Sequence, residues 1–127
     1  MGTEILDDPA PDEPHDDRST TLAELRACVE QFVAERHWQT YHAPKNLAMS
    51  LAIESAELME HFQWVTVDES RHVADDTQVR EAVLDELADV FCYVLAMANA
   101  LNADLTRAFR QKMRKNARKY PAPDTTL

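Results

Sequence analysis

The chain contains one glycine, Gly2, in 127 residues, and no other feature constrains its fold as tightly. Tight hairpin turns depend on residues that tolerate positive φ, glycine above all. Phosphate-cradling loops of the GxxxxGK[ST] and GxGxxG kinds need glycines that the chain lacks. A hairpin-built β fold and a glycine-loop nucleotide fold are thereby excluded, and an all-helical domain is expected. Any phosphate that it binds must be met by side chains and metal ions.

Hydrophobic residues make up 45% of the chain, enough for one domain with a single core. The longest apolar run, residues 90–101, is too short and too polar to span a bilayer. No basic leader followed by an apolar stretch opens the sequence. Cys28 and Cys92 lack disulfide or metal spacing and are read as reduced core thiols. These features predict a cytoplasmic protein without a membrane partner. The formal net charge of −10 argues against a nucleic-acid polymer as partner, because such binding rests on cations meeting phosphates. The charge is uneven. Residues 1–18 carry seven acids and one base, whereas 105–119 carry seven bases and no acid.

The acidic, proline-containing residues 1–18 read as a disordered tail. Residues 19–121 read as the helical domain, and 122–127 as a flexible C-terminus. Thr21-x-x-Glu24 is a capping box that opens a first helix, with Leu22, Leu25, Val29, Phe32 and Val33 inward and an end near Trp38. Pro44 sits well at the first turn of a second helix, which runs to His61 or Gln63 with Leu47, Leu51, Leu58, Met59 and Phe62 inward. A polar loop covers roughly 65–76. A third, long helix from about Thr77 to Leu101 turns Val79, Val83, Leu87, Val90, Phe91, Val94, Ala98 and Leu101 inward. Asp104 caps a fourth, at about 105–118. Short links between four helices predict an antiparallel four-helix bundle.

Two of these helices place carboxylates inside their apolar stripes. In ESAELMEHFQW, Glu54 lies three residues after Leu51 and four before Leu58, and Glu57 is one turn later. In DELADVFCY, Glu86 and Asp89 sit among Val83, Leu87 and Val90. Each i, i+3 pair shares one helix face, with Cβ atoms about 5–6 Å apart. Two such pairs on packed helices bring four carboxylates together. Without a counter-ion their repulsion forces protonation, and a hard divalent cation relieves it. An all-oxygen donor set favours Mg²⁺, with Mn²⁺ as substitute, over zinc. The competing reading is ordinary solvated helix faces, which Glu60, Glu81 and Asp85 are expected to be.

The order of ESAE (54–57) and ELAD (86–89) resembles the ExxE…ExxD signature of the MazG-like all-α nucleoside triphosphate pyrophosphohydrolases. FVAERHWQTYHAPKNLAMSL (32–51), EHFQW (60–64) and KMRKNARKYP (112–121) are similar to the dCTP pyrophosphatase branch. The resemblance spans about Thr21 to Pro121. It implies Mg²⁺-dependent hydrolysis of a nucleoside triphosphate, dCTP or a modified dCTP, to monophosphate and pyrophosphate, in nucleotide-pool cleaning. It implies that Glu54, Glu57, Glu86 and Asp89 hold the metal, with Glu57 chosen to orient or deprotonate the attacking water. It further implies substrate contacts from Trp38, His42, Lys45, Asn46, Trp64, Tyr93, Lys112, Asn116 and Tyr120. For several of these a plainer role stands beside that one: core caps for Trp38 and Trp64, a core aromatic for Tyr93, a loop histidine for His42, and a solvated helix face for the basic run. Val29 stands where close relatives carry histidine, and Ser55 and Ala56 where they often carry glycine, so the base stays open.

Other readings remain open. The same fold serves other substrates, such as dUTP or a phosphoribosyl-ATP, and a helical interaction module needs no catalysis. A ferritin-like di-iron bundle wants two Glu-x-x-His motifs, and only Glu69-x-x-His72 fits, in the predicted loop. Apolar surface left by so small a bundle, together with the resemblance, predicts a homotetramer, or a dimer, with the long third helix at an interface.

Overall fold

The computed structural model describes residues 15–124. Most of the expected acidic tail and the last three residues of the chain lie outside that range. Among the described residues there is no strand. The order is α1 (Leu22–Glu35), a 3₁₀ turn (Gln39–Tyr41), α2 (Pro44–Glu60), α3 (Val67–Ser70), a 3₁₀ turn (Val73–Asp75), α4 (Thr77–Ala100) and α5 (Leu105–Lys119).

The helix starts reflect local chemistry. Thr21 Oγ1 accepts from the Glu24 amide at 3.2 Å, and the Thr21 amide donates back to Glu24 Oε2 at 3.2 Å. Pro44 occupies the first turn of α2. Asp76 and Asp104 accept backbone amides at the starts of α4 and α5. A second capping box, Thr66 with Glu69, builds α3 inside the stretch expected to be a polar loop. Upstream of α1, Asp16 accepts from the backbone amides of Arg18 and Ser19. Part of the expected tail therefore has a defined turn.

Two helix ends solve the problem of stopping without glycine. His37 and Asn102 take φ of 55° and 47°, the left-handed region that favours glycine. After α1, the His37 amide donates to Ala34 O and the Trp38 amide to Val33 O. After α4, the Asn102 amide donates to Asn99 O and the Ala103 amide to Ala98 O. Both are Schellman motifs, with histidine and asparagine where glycine is usual.

α4 is the spine of the molecule, with α2 packed along it and α1 against its C-terminal half. Leu47 and Ser50 share a cavity with Tyr93, while His61 reaches Glu86, so α2 and α4 run antiparallel. Arg26 ties α1 to the end of α4. Its guanidinium donates to Asn99 Oδ1 at 3.0 Å, Ala103 O at 2.6 Å and Ala98 O at 3.1 Å, and Asn99 Nδ2 returns a bond to Arg26 O at 3.0 Å.

The core is Val33, Leu47, Leu95, Ala96 and Ala98. This corrects part of the expected apolar stripe. Met59, Leu87, Phe91 and Leu101, expected inward, are exposed, as is Cys92. α4 is apolar on more of its circumference than α1 and α2 together can cover. α5 packs far less against the body of the chain than α1 and α2 do. Its exposed Phe109 and Met113 stand among seven cations. Three of the four long helices thus form the packed body of the single chain. No described helix is long and apolar enough to cross a membrane.

Candidate functional site

Antiparallel packing of α2 on α4 brings the two acidic pairs face to face. One carboxylate oxygen from each of Glu54, Glu57 and Glu86 falls within a set whose members all lie within 4.8 Å of one another. Glu54 and Glu86 are half-buried and Glu57 is exposed. Oε2 of Glu54 and Oε2 of Glu86 are each buried without a hydrogen-bond partner. Asp89 is exposed but close enough for its charge to act on both.

The electrostatics record this crowding. Burial pushes the Glu54 carboxyl up to about 6, reinforced by a hydrogen bond shared with Glu57 and by the charges of Glu57, Asp89 and Glu86. Glu86 is raised by burial first, then by Glu57 and Asp89, while His61 pulls it back. His61 Nε2 lies 4.0 Å from Glu86 Oε1.

An orphaned buried carboxylate oxygen is costly, and here two belong to glutamates of one acidic cluster. Such a donor set fits a hard divalent cation, which takes carboxylate oxygens and tolerates open positions for water or phosphate. Glu54, Glu57 and Glu86 are placed to hold it, with Asp89 beside them.

Beside the acids, Trp38, Tyr41, His42, Leu47, Ser50 and Tyr93 line a cavity of about 260 Å³. Tyr93 is on α4, one turn beyond Asp89. Trp38 and His42 flank the 3₁₀ turn that α2's Asn46 steadies, its Nδ2 donating to Tyr41 O at 3.2 Å. His42 also lines an adjoining, more apolar cavity of about 310 Å³ with Val29, Val33, Ala34, Ala96 and Asn99 among its walls. Trp38 and Tyr93 give the first cavity aromatic walls, and stacking on such rings tolerates any nucleobase.

The remaining expected contacts are not gathered there. Lys45 is exposed in the first turn of α2. Trp64, beyond the end of α2, is 87% exposed and lines neither cavity. Lys112, Asn116 and Tyr120 lie on α5 or at its end, away from the packed body of the chain. Conversely, sequence reasoning passed over Tyr41, Ser50 and His61. For His61 a signal existed: it stands four residues after Glu57 and so shares the acidic face of α2.

A profile described as the MazG-like family matches residues 49–126. The chain is 40% identical over 101 residues to dCTP pyrophosphatase 1 of Rattus norvegicus, covering 80% of this chain and 59% of that protein. It is 40% identical over 102 residues to dCTP pyrophosphatase 1 of Homo sapiens, covering 80% of this chain and 60% of that protein. It therefore spans about 60% of the length of these relatives. Among solved structures, a pyrophosphatase from Archaeoglobus fulgidus superposes with a TM-score of 0.74 at 38% identity, covering 87% of this chain and 98% of that one. The fold, the profile match and these identities agree: the chain belongs to the MazG-like family.

Proposed function

We propose that the protein hydrolyses a nucleoside triphosphate, dCTP or a modified dCTP, to the monophosphate and pyrophosphate. The observation that carries this reading is the pair of orphaned oxygens, Glu54 Oε2 and Glu86 Oε2, within a cluster of acids beside an aromatic-walled cavity. The names of the rat, human and archaeal relatives support the reaction class.

Glu54, Glu57, Glu86 and Asp89 would hold Mg²⁺, or Mn²⁺ in its place. A divalent cation bound there supplies charge neutralisation and Lewis acidity towards the triphosphate. Glu57 is the most exposed of the three clustered glutamates, and so the one that incoming water can reach. It orients that water and takes its proton. Glu54 and Glu86, half-buried and fixed on two packed helices, set the spacing of the donors. Trp38 and Tyr93 wall the base, and His42 and Asn46 hold the turn that carries Trp38. Lys112, Asn116 and Tyr120 meet the phosphates or base once a further copy of the chain brings α5 to the site, and Lys45 and Trp64, exposed at the two ends of α2, add their contacts in that assembly. A homotetramer supplies that copy, and uncovered Met49, Ile53, Leu84, Leu87 and Phe91 supply the apolar surface for it.

Purified protein with Mg²⁺ and a panel of triphosphates, dUTP and phosphoribosyl-ATP included, tests this. Pyrophosphate release with dCTP or a modified dCTP preferred is expected. Orthophosphate release, or no turnover of any of them, sinks the proposal.

A further inference from the structure

Trp38 stands at the cavity without a helix to hold it. It lies just past the end of α1, is 44% exposed, and is reached through His37 at φ 55°. Its ring is nevertheless fixed by a chain of contacts that starts outside the cavity. Arg36, the C-cap of α1, lies over the Phe32 ring with Cζ 3.4 Å from the centroid. The same guanidinium donates from Nη1 to Phe32 O at 3.0 Å, so stack and hydrogen bond together leave it little freedom. The Phe32 ring meets Trp38 edge-on, with centroids 5.9 Å apart and planes at 72°. That is the favoured T-shaped arrangement of aromatic quadrupoles.

Each link is local, and together they run in one direction. Phe32 and Arg36 are four residues apart on α1 and so share a face. Arg36 clamps Phe32 from one side, and Phe32 then offers Trp38 a fixed edge. The Schellman bond from the Trp38 amide to Val33 O anchors the backbone, but it leaves the indole free to turn about χ1 and χ2. The edge-on Phe32 ring restricts that freedom. Arg36 lines neither cavity, so it reaches the cavity through Phe32 and Trp38.

We propose that Arg36 is a positioning residue, which through Phe32 fixes the Trp38 indole as a wall of the cavity and so sets nucleotide affinity. The substrate half of this inference rests on the cavity being the base pocket. The structural half is readable without nucleotide.

The test uses the full chain and two readouts. The indole N–H resonance of Trp38 is tracked by NMR in Arg36→Gln and Arg36→Lys, with Trp64, 87% exposed, as internal reference. KM and kcat are then measured for each triphosphate turned over. In Arg36→Gln the Trp38 resonance should move and broaden. KM should rise by up to about tenfold, the scale of one cation–π contact, with kcat within about twofold. Arg36→Lys, which keeps a cation over the ring, should recover part of both effects. An unmoved Trp38 resonance overturns the proposal. So does a parallel loss of kcat, KM and melting temperature that Arg36→Lys does not relieve, since that marks a merely structural role. A displaced indole with unchanged KM overturns the link to affinity. A wild-type protein that turns over no triphosphate sinks the proposed function instead, while the indole readout still decides whether Arg36 fixes Trp38.

Discussion

Glu54 and Glu86 stand on different helices, and each buries its Oε2 without a hydrogen-bond partner. Their carboxyls are raised by burial and by the acids around them, Glu54 to about 6. A carboxyl whose folded pKa lies above its unfolded value of 4.5 favours the fold while protonated and opposes it once ionised. With chelator present, the stability that Glu54 contributes should therefore be full below about pH 4.5 and be lost as pH rises through about 6, lowering the melting temperature across that window. Mg²⁺ should reverse that fall, and its stabilising increment should grow with pH over the same window. Thermal melts across pH with EDTA or MgCl₂ check this. A metal-independent profile contradicts the cation site.

Neutral isosteres separate repulsion from function at the same cluster. Glu54→Gln removes one charge from the acids and should raise the melting temperature of the metal-free protein. It should also abolish the Mg²⁺ increment. Glu57→Gln and Asp89→Asn should lower pyrophosphate release by about a hundredfold or more, the scale of losing a positioned acid–base group. Retained turnover in Glu57→Gln would remove Glu57 from the water-activating role.

Local chemistry is what the sequence carries most plainly, and the molecule bears this out. Thr21 with Glu24, Pro44 and Asp104 each act within one turn, so their residues alone announce the helix starts. The acidic pairs are legible for the same reason, because i, i+3 spacing fixes a shared face before any packing is known. Thr66 with Glu69 carries the same capping signal as Thr21 with Glu24, yet it opens a helix of only four residues, too short to give an apolar period. The chain cannot announce how much of α4 its neighbours cover. The apolar period marks Leu87, Phe91 and Leu101 as core, but α1 and α2 leave them exposed. The place of α5 is equally non-local. Lys112 and Asn116 are four residues apart on one face, and nothing in that spacing says which surface the face meets.

The helix ends give a prediction tied to the missing glycines. His37 and Asn102 bear positive φ, where a Cβ is disfavoured, though asparagine tolerates it better than histidine. His37→Gly should stabilise the fold by about 0.5–1 kcal/mol, and Asn102→Gly by less. Urea denaturation of the two variants ranks them. A destabilised His37→Gly would mean that the histidine side chain contributes contacts worth more than its backbone strain.

Arg26 should be the most sensitive single position in the junction of α1 with α4. Its guanidinium serves two carbonyls and Asn99 Oδ1 at the C-terminal end of α4. Truncation leaves these part-buried acceptors short of a donor. Arg26→Ala should cost about 2–3 kcal/mol, as expected for hydrogen bonds from a charged donor. Arg26→Lys should recover only part, since one ammonium cannot span three acceptors in a plane. Chemical denaturation measures both. The effect should appear without a change in the Mg²⁺ increment, because the acidic cluster lies nearer the other end of α4.

Assembly is the remaining consequence of a helix covered on too few sides. Leu84 and Phe91 on α4 and Phe109 on α5 are 41%, 40% and 63% exposed, and large apolar side chains left uncovered on two helices offer surface for a protein contact. The protein should scatter light as a tetramer, at four times the chain mass of 14.5 kDa. Leu84→Lys places a charge on the uncovered face of α4 and should shift the mass toward dimer or monomer, while far-ultraviolet circular dichroism keeps its helical content. Phe109→Asp should do the same if α5 is buried between copies. The two variants should affect turnover differently. Leu84→Lys leaves α5 intact, whereas Phe109→Asp removes α5, and with it Lys112 and Asn116, from any neighbouring site, so KM should rise further in Phe109→Asp than in Leu84→Lys. A wild-type protein that stays monomeric at all concentrations would contradict both expectations.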